Sequence, residues 1–103
     1  MVSINICGSE QKLTEVTDSW LREQIMNRRA NDVSVWIRVT IRIDRVNIVL
    51  TTDNCPRSPS SPRPPNRHER EIFDLWDSMG LKNPSADPGT LSRFLHKIGS
   101  MSF

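Results

Sequence analysis

The chain has 103 residues, which at about 100–200 residues per domain amounts to one domain. Hydrophobic residues make up 36%, charged residues 25%, and 14 basic against 12 acidic side chains leave a net charge of +2. That balance announces neither a nucleic-acid nor a membrane partner by bulk charge; no run approaches the roughly 20 apolar residues of a membrane-spanning helix, and two cysteines are too few for a disulfide scaffold.

Val2, Ile4 and Ile6 alternate with Ser3 and Asn5, the pattern of a short strand with one apolar face. Cys7-Gly8 breaks it, and Ser9 is placed to cap a helix whose apolar stripe would be Leu13, Val16, Trp20, Leu21 and Ile25. From Val33 to Ile43 every odd position is β-branched and most even positions are polar, which predicts a long strand with one buried face. A second strand follows with Val46, Ile48 and Leu50 inward. A turn at Asp44-Arg45 would pair Ile43 with Val46, Ile41 with Ile48 and Val39 with Leu50; a one-residue slip would set apolar against polar throughout.

Residues 56–65 hold five of the seven prolines, so this stretch is expected to be a flexible, extended loop inside the domain. Asn66 with Glu69 forms a capping-box pattern ahead of a helix carrying Ile72, Phe73, Leu75, Trp76 and Met79; Gly80 would end it and Leu81 fold back. Asp87-Pro88 opens a last helix with the stripe Leu91, Phe94, Leu95 and Ile98.

The expected architecture is therefore a single α+β domain over residues 1–99 with the order β-α-β-β-loop-α-α. Its small mixed three-stranded sheet carries helices on one face, with the first strand parallel to the second through a helical crossover. Residues 66–99 would form a helical hairpin and residues 100–103 a disordered tail. In that topology Cys7 and Cys55 fall at opposite ends of the sheet and stay unbridged. The first six residues lack the basic and long apolar stretches of a secretory signal, which makes a cytoplasmic location with two reduced thiols the expectation.

Chemistry-bearing patterns are few. Cys7-Gly8-Ser9 at a helix start would suit a reactive thiol, but no arginine follows at phosphatase-loop spacing, and an inert cysteine is the plainer reading. His68-Glu69 lacks the second histidine of a zinc-hydrolase motif, and His96 lies on the polar side of its helix. No catalytic residue, metal ligand or cofactor site is assigned. Pro59-Ser60-Ser61-Pro62 matches P-x-x-P, a pattern that a proline-rich linker meets by composition alone.

The informative surface is the wet face of the hairpin, where Trp36 sits beside Arg38 and Arg42, with Arg28 and Arg29 upstream. Residues 22–70 carry ten arginines against five acids, a local +5. The element order resembles a sheet-based RNA-binding domain without its last strand, although residues 45–50 hold neither the glycine nor the aromatics of that family's signature. The expected function is a small non-enzymatic interaction or regulatory module that binds a protein partner, with the terminal helix pair docking as a hairpin in the partner's groove, or binds itself through the exposed edge of the strand hairpin. The alternative is nucleic-acid binding through Trp36, Arg38, Arg42, Arg28 and Arg29. No membrane partner is expected.

Overall fold

A computed structural model describes residues 2–43, 46–55 and 67–100. The chain runs β1 (Val2–Ile6), β2 (Ser9–Lys12), a single 3₁₀ turn (Leu13–Glu15), α1 (Asp18–Ala30), β3 (Ile37–Ile43), β4 (Val46–Thr51), α2 (Arg67–Ser78) and α3 (Pro88–Gly99). The fold is α+β, with a four-stranded antiparallel sheet in the order β2-β1-β3-β4.

The fourth strand arises where the sequence suggested a helix. Cys7 and Gly8 have φ of 52° and 96°, and Ile6 pairs with Ser9 across them. Positive φ at both central residues is the signature of a type I′ turn, whose twist matches that of the strands it joins. Asn5 supports the turn by accepting the Gly8 N–H at 2.8 Å on its side-chain oxygen. The chain therefore reverses at Cys7 before any helix begins, and Ser9 is a strand residue, not a cap. Thr17 caps α1 instead, its hydroxyl oxygen accepting the Trp20 N–H at 3.1 Å.

This hairpin corrects the strand polarity. The strand that feeds α1 is β2, not β1. Because β1 is antiparallel to both β2 and β3, β2 and β3 run parallel, as a strand-helix-strand crossover requires, with β1 inserted between them. The cysteines move accordingly. Ile6 pairs with Ile37 and Thr51 with Arg38, so Cys7 and Cys55 follow strand ends at the same end of the sheet. Neither is in a disulfide.

The β3–β4 register is the expected one: Ile43 with Val46, Ile41 with Ile48, Val39 with Leu50. The strand begins later than its alternation suggests. Residues 33–36 precede the regular strand, with Val35 buried and Val33 50% exposed. The Asp44-Arg45 turn, Asn66, the proline-rich residues 56–65 and the tail residues 101–103 lie outside the described residues.

One core holds the fold together. Ile4, Ile6, Ile37, Val39, Ile41, Ile48 and Leu50 line the inner face of the sheet, and Leu21 and Ile25 of α1, Ile72 and Trp76 of α2, and Leu91, Phe94, Leu95 and Ile98 of α3 cover it. Trp76 meets Phe94 edge-to-face with centroids 5.1 Å apart. Most of the apolar stripes of α2 and α3 is thus spent within the domain, although Phe73, expected on the apolar face of α2, is 39% exposed. Helix α2 ends as its Gly80-Leu81 sequence implies: Gly80 takes φ +72°, its N–H donates to the Asp77 carbonyl, and the Leu81 N–H donates to that of Trp76, the Schellman arrangement. Asp87 accepts the Gly89 N–H and Pro88 occupies the first turn of α3. Glu69, read from sequence as the partner of Asn66 in a capping box, is 6% exposed and therefore buried.

Candidate binding surface

With the inner face committed to the core, strand alternation sends the remaining side chains outward. Register places them in rows: Glu10, Asn5, Arg38 and Thr51 across one line, Lys12, Ser3, Thr40 and Val49 across the next, Arg42 beside Asn47 beyond. Trp36 precedes β3 on the same face. Its carbonyl accepts the Cys7 N–H at 3.2 Å and its N–H donates to Cys7 Sγ at 3.4 Å, which continues the β1–β3 ladder by one step. The Arg38 guanidinium carbon stands 5.8 Å from the Trp36 ring centroid, a cation–π contact between alternate residues of one strand face. Trp36, Arg38, Thr40, Val49 and Thr51 are all half-buried, and Arg42 and Asn47 are exposed. The face is thus polar and basic, with one aromatic ring in contact with a neighbouring guanidinium.

The predicted arginines do not all gather there. Trp36, Arg38 and Arg42 share the outer face. Arg28 and Arg29 lie in the last turn of α1, on the helical side. Arg28 donates weakly to Ser9 Oγ at 3.5 Å. Arg29 donates to the carbonyls of Pro84 and Ala86 at 3.0 and 2.7 Å. It is a clamp between α1 and the α2–α3 connection, with its guanidinium already engaged.

The open edge of the sheet is β4. The Thr52 N–H donates to the Ile37 carbonyl, so alternation turns the N–H and C=O groups of Asn47, Val49 and Thr51 away from β3. Trp76 covers one end of this edge, its indole N–H donating to the Thr51 carbonyl at 3.1 Å. Among the described residues, Asn47 and Val49 have no such cover. At the other margin β2 is four residues long and bears the exposed charges Glu10 and Lys12.

A second cluster was not visible in the sequence. Asp18 of α1 and Ser92 and His96 of α3 meet at the α1–α3 seam, where Ser92 Oγ donates to Asp18 Oδ1. These are the side-chain types of a hydrolytic triad, but there the histidine must accept the serine proton, whereas here the serine hydroxyl is turned to the carboxylate. Another depression, of about 380 Å³, is lined by Cys7, Asn27, Arg28, Asn31 and Val33. No helix begins at Cys7, so the helix-start basis for an activated thiol is removed. Among the described residues no three His, Cys, Asp or Glu side chains cluster as metal ligands, and no helix is long and apolar enough to cross a membrane. Comparisons with known protein families, curated proteins and solved structures return no match.

Proposed function

We propose that the protein is a small non-enzymatic interaction module that binds a protein partner or a second copy of itself by adding a strand to β4. The supporting observation is the asymmetry of the sheet. All three helices are packed with its inner face, while the β4 edge presents backbone donors and acceptors at Asn47 and Val49. An extended segment pairing there gains main-chain hydrogen bonds, and Val49, Thr51 and Trp36 on the adjoining face offer side-chain contacts for specificity. A cytoplasmic setting with reduced thiols is part of this reading.

The test is Val49→Pro, which removes the outward N–H without emptying the core. Hydrogen exchange should show the Asn47 and Val49 amides fast in the isolated monomer and protected in the complex or dimer. The variant should lose that association while keeping its fold. Association that persists in Val49→Pro, with those amides still exchanging fast, would move the interface elsewhere.

The Arg38–Trp36 pair supports a second reading, nucleic-acid binding on the outer face, with the indole stacking a base and Arg38, Arg42 and Lys12 meeting phosphates. Such binding should weaken steeply with salt and fall in Arg38→Ala/Arg42→Ala. No detectable binding to single- or double-stranded probes at low salt removes it.

A further inference from the structure

The seam between the 3₁₀ turn, α1 and α3 holds two adjoining depressions that share Asp18, Ser92 and His96. One, of about 350 Å³, has an apolar floor; the other, of about 280 Å³, is flanked by arginines. Each is near the lower limit, about 300 Å³, of pockets that hold small organic ligands. We propose that this groove binds a medium-chain carboxylate, with the carboxylate held by Arg22 and Arg93 and the alkyl chain lying over Leu13, Val16 and Leu95.

The charge pattern selects the head group. Arg22 and Arg93 are exposed on the groove and make no ion pair among the described residues. A guanidinium presents a planar fork of donors that matches a carboxylate in two parallel hydrogen bonds. The one acid in the groove, Asp18, already accepts the Ser92 hydroxyl and lies in the first turn of α1, where the positive end of the helix offsets its charge. The imidazole of His96 adds a further N–H donor at the junction of the two depressions.

The apolar end selects the tail. Leu13 and Val16 belong to the segment that the hairpin displaced from α1, and both remain only half-buried against the core. Gly99 closes one end of this depression against Leu13: a Cβ added at Gly99 would stand 3.6 Å from Leu13 Cδ2, in ordinary contact. An alkyl chain laid there removes Leu13 and Val16 from water. A side chain longer than alanine at position 99 would occupy the same space. The site is on the helical layer, so its behaviour is separable from that of the outer sheet face and the β4 edge.

The test is an amide-resonance titration of the full chain with octanoate below its micellar concentration, with acetate, octanol and octylamine as comparison arms. Octanoate should shift residues 13–22 and 92–100, whereas acetate, octanol and octylamine at equal concentration should not. Arg22→Gln/Arg93→Gln and, separately, Gly99→Phe should each weaken the octanoate response by about tenfold or more, the loss of a charge-assisted contact or of the alkyl berth. An absent shift in those segments, an equal response to octylamine or octanol, or undiminished binding in both variants would overturn the assignment. Should Gly99→Phe lose its dispersed spectrum, the ligand series on the natural chain and the arginine variant decide alone.

Discussion

Thr52 and Ile37 are joined twice at the end of the β3–β4 hairpin: the Thr52 N–H donates to the Ile37 carbonyl at 3.0 Å, and the Ile37 N–H donates to Thr52 Oγ1 at 3.1 Å. The threonine hydroxyl in turn donates to Asn54 Oδ1 at 2.7 Å, and Asn54 Nδ2 donates to the Val35 carbonyl at 2.9 Å. A side chain here replaces the backbone carbonyl that a longer strand would have supplied.

Thr52→Val keeps the shape and removes the oxygen. With position 52 only 2% exposed, the Ile37 N–H is left without a partner, and the loss of stability should be about 1–3 kcal/mol. Urea unfolding at constant m-value measures it. A change within about 0.5 kcal/mol would mean that water replaces the hydroxyl and that the network is not a structural constraint.

The two groups of arginines should separate by stability. Arg29→Gln removes the charged donors that hold Pro84 and Ala86 and should cost about 1.5–3 kcal/mol. Arg38→Ala and Arg42→Ala lie on the outer face and should each shift stability by about 0.5–1 kcal/mol or less. Thermal unfolding of the three variants side by side gives the order, and a loss for Arg38 or Arg42 as large as for Arg29 would contradict the assignment of roles.

The turn at Cys7-Gly8 should respond in opposite directions to two substitutions. Gly8→Val forces a β-branched side chain to φ +96° and should destabilise by more than about 1 kcal/mol. Cys7→Asn introduces a residue that tolerates φ 52° and should raise the midpoint of thermal unfolding; a lowered midpoint would contradict this.

Trp76 joins core and edge. Trp76→Phe preserves a ring against Phe94 but deletes the donor to Thr51. Stability should fall by about 1–2 kcal/mol, and the Thr51 end of β4 should exchange its amides faster. Unchanged exchange there would show that the indole N–H does not protect the edge.

How much of this was legible in the chain differs by region. The β3–β4 register could be read because one-sided alternation leaves a single pairing that keeps every aliphatic inside. The C-terminal end of α2 and the start of α3 could be read because Gly80-Leu81 and Asp87-Pro88 have few other uses. The β1–β2 hairpin could not. Cysteine is not a residue expected at positive φ, and Ser9–Lys12 has no apolar alternation to mark a strand. One missed turn displaced the helix start from Ser9 to Thr17, reversed β1 relative to β3 and brought the cysteines to the same end.

The candidate surfaces followed the same logic. Trp36, Arg38 and Arg42 share a face because alternation within one strand is a local property. The path of Arg29 depends on where residues 84–86 pass, which no local pattern encodes. The Asp18–Ser92 contact spans 74 positions along the chain, and each residue taken alone reads as ordinary helix surface.

The inequality between the two margins of the sheet sets a limit on growth. Fibrils require every added chain to leave a fresh docking strand behind it. Here β2 is four residues long and charged, and the proposed pairing would use up β4. Two molecules joined along β4 would leave no second open edge among the described strands, so the proposed self-association would end as a closed pair with two-fold symmetry.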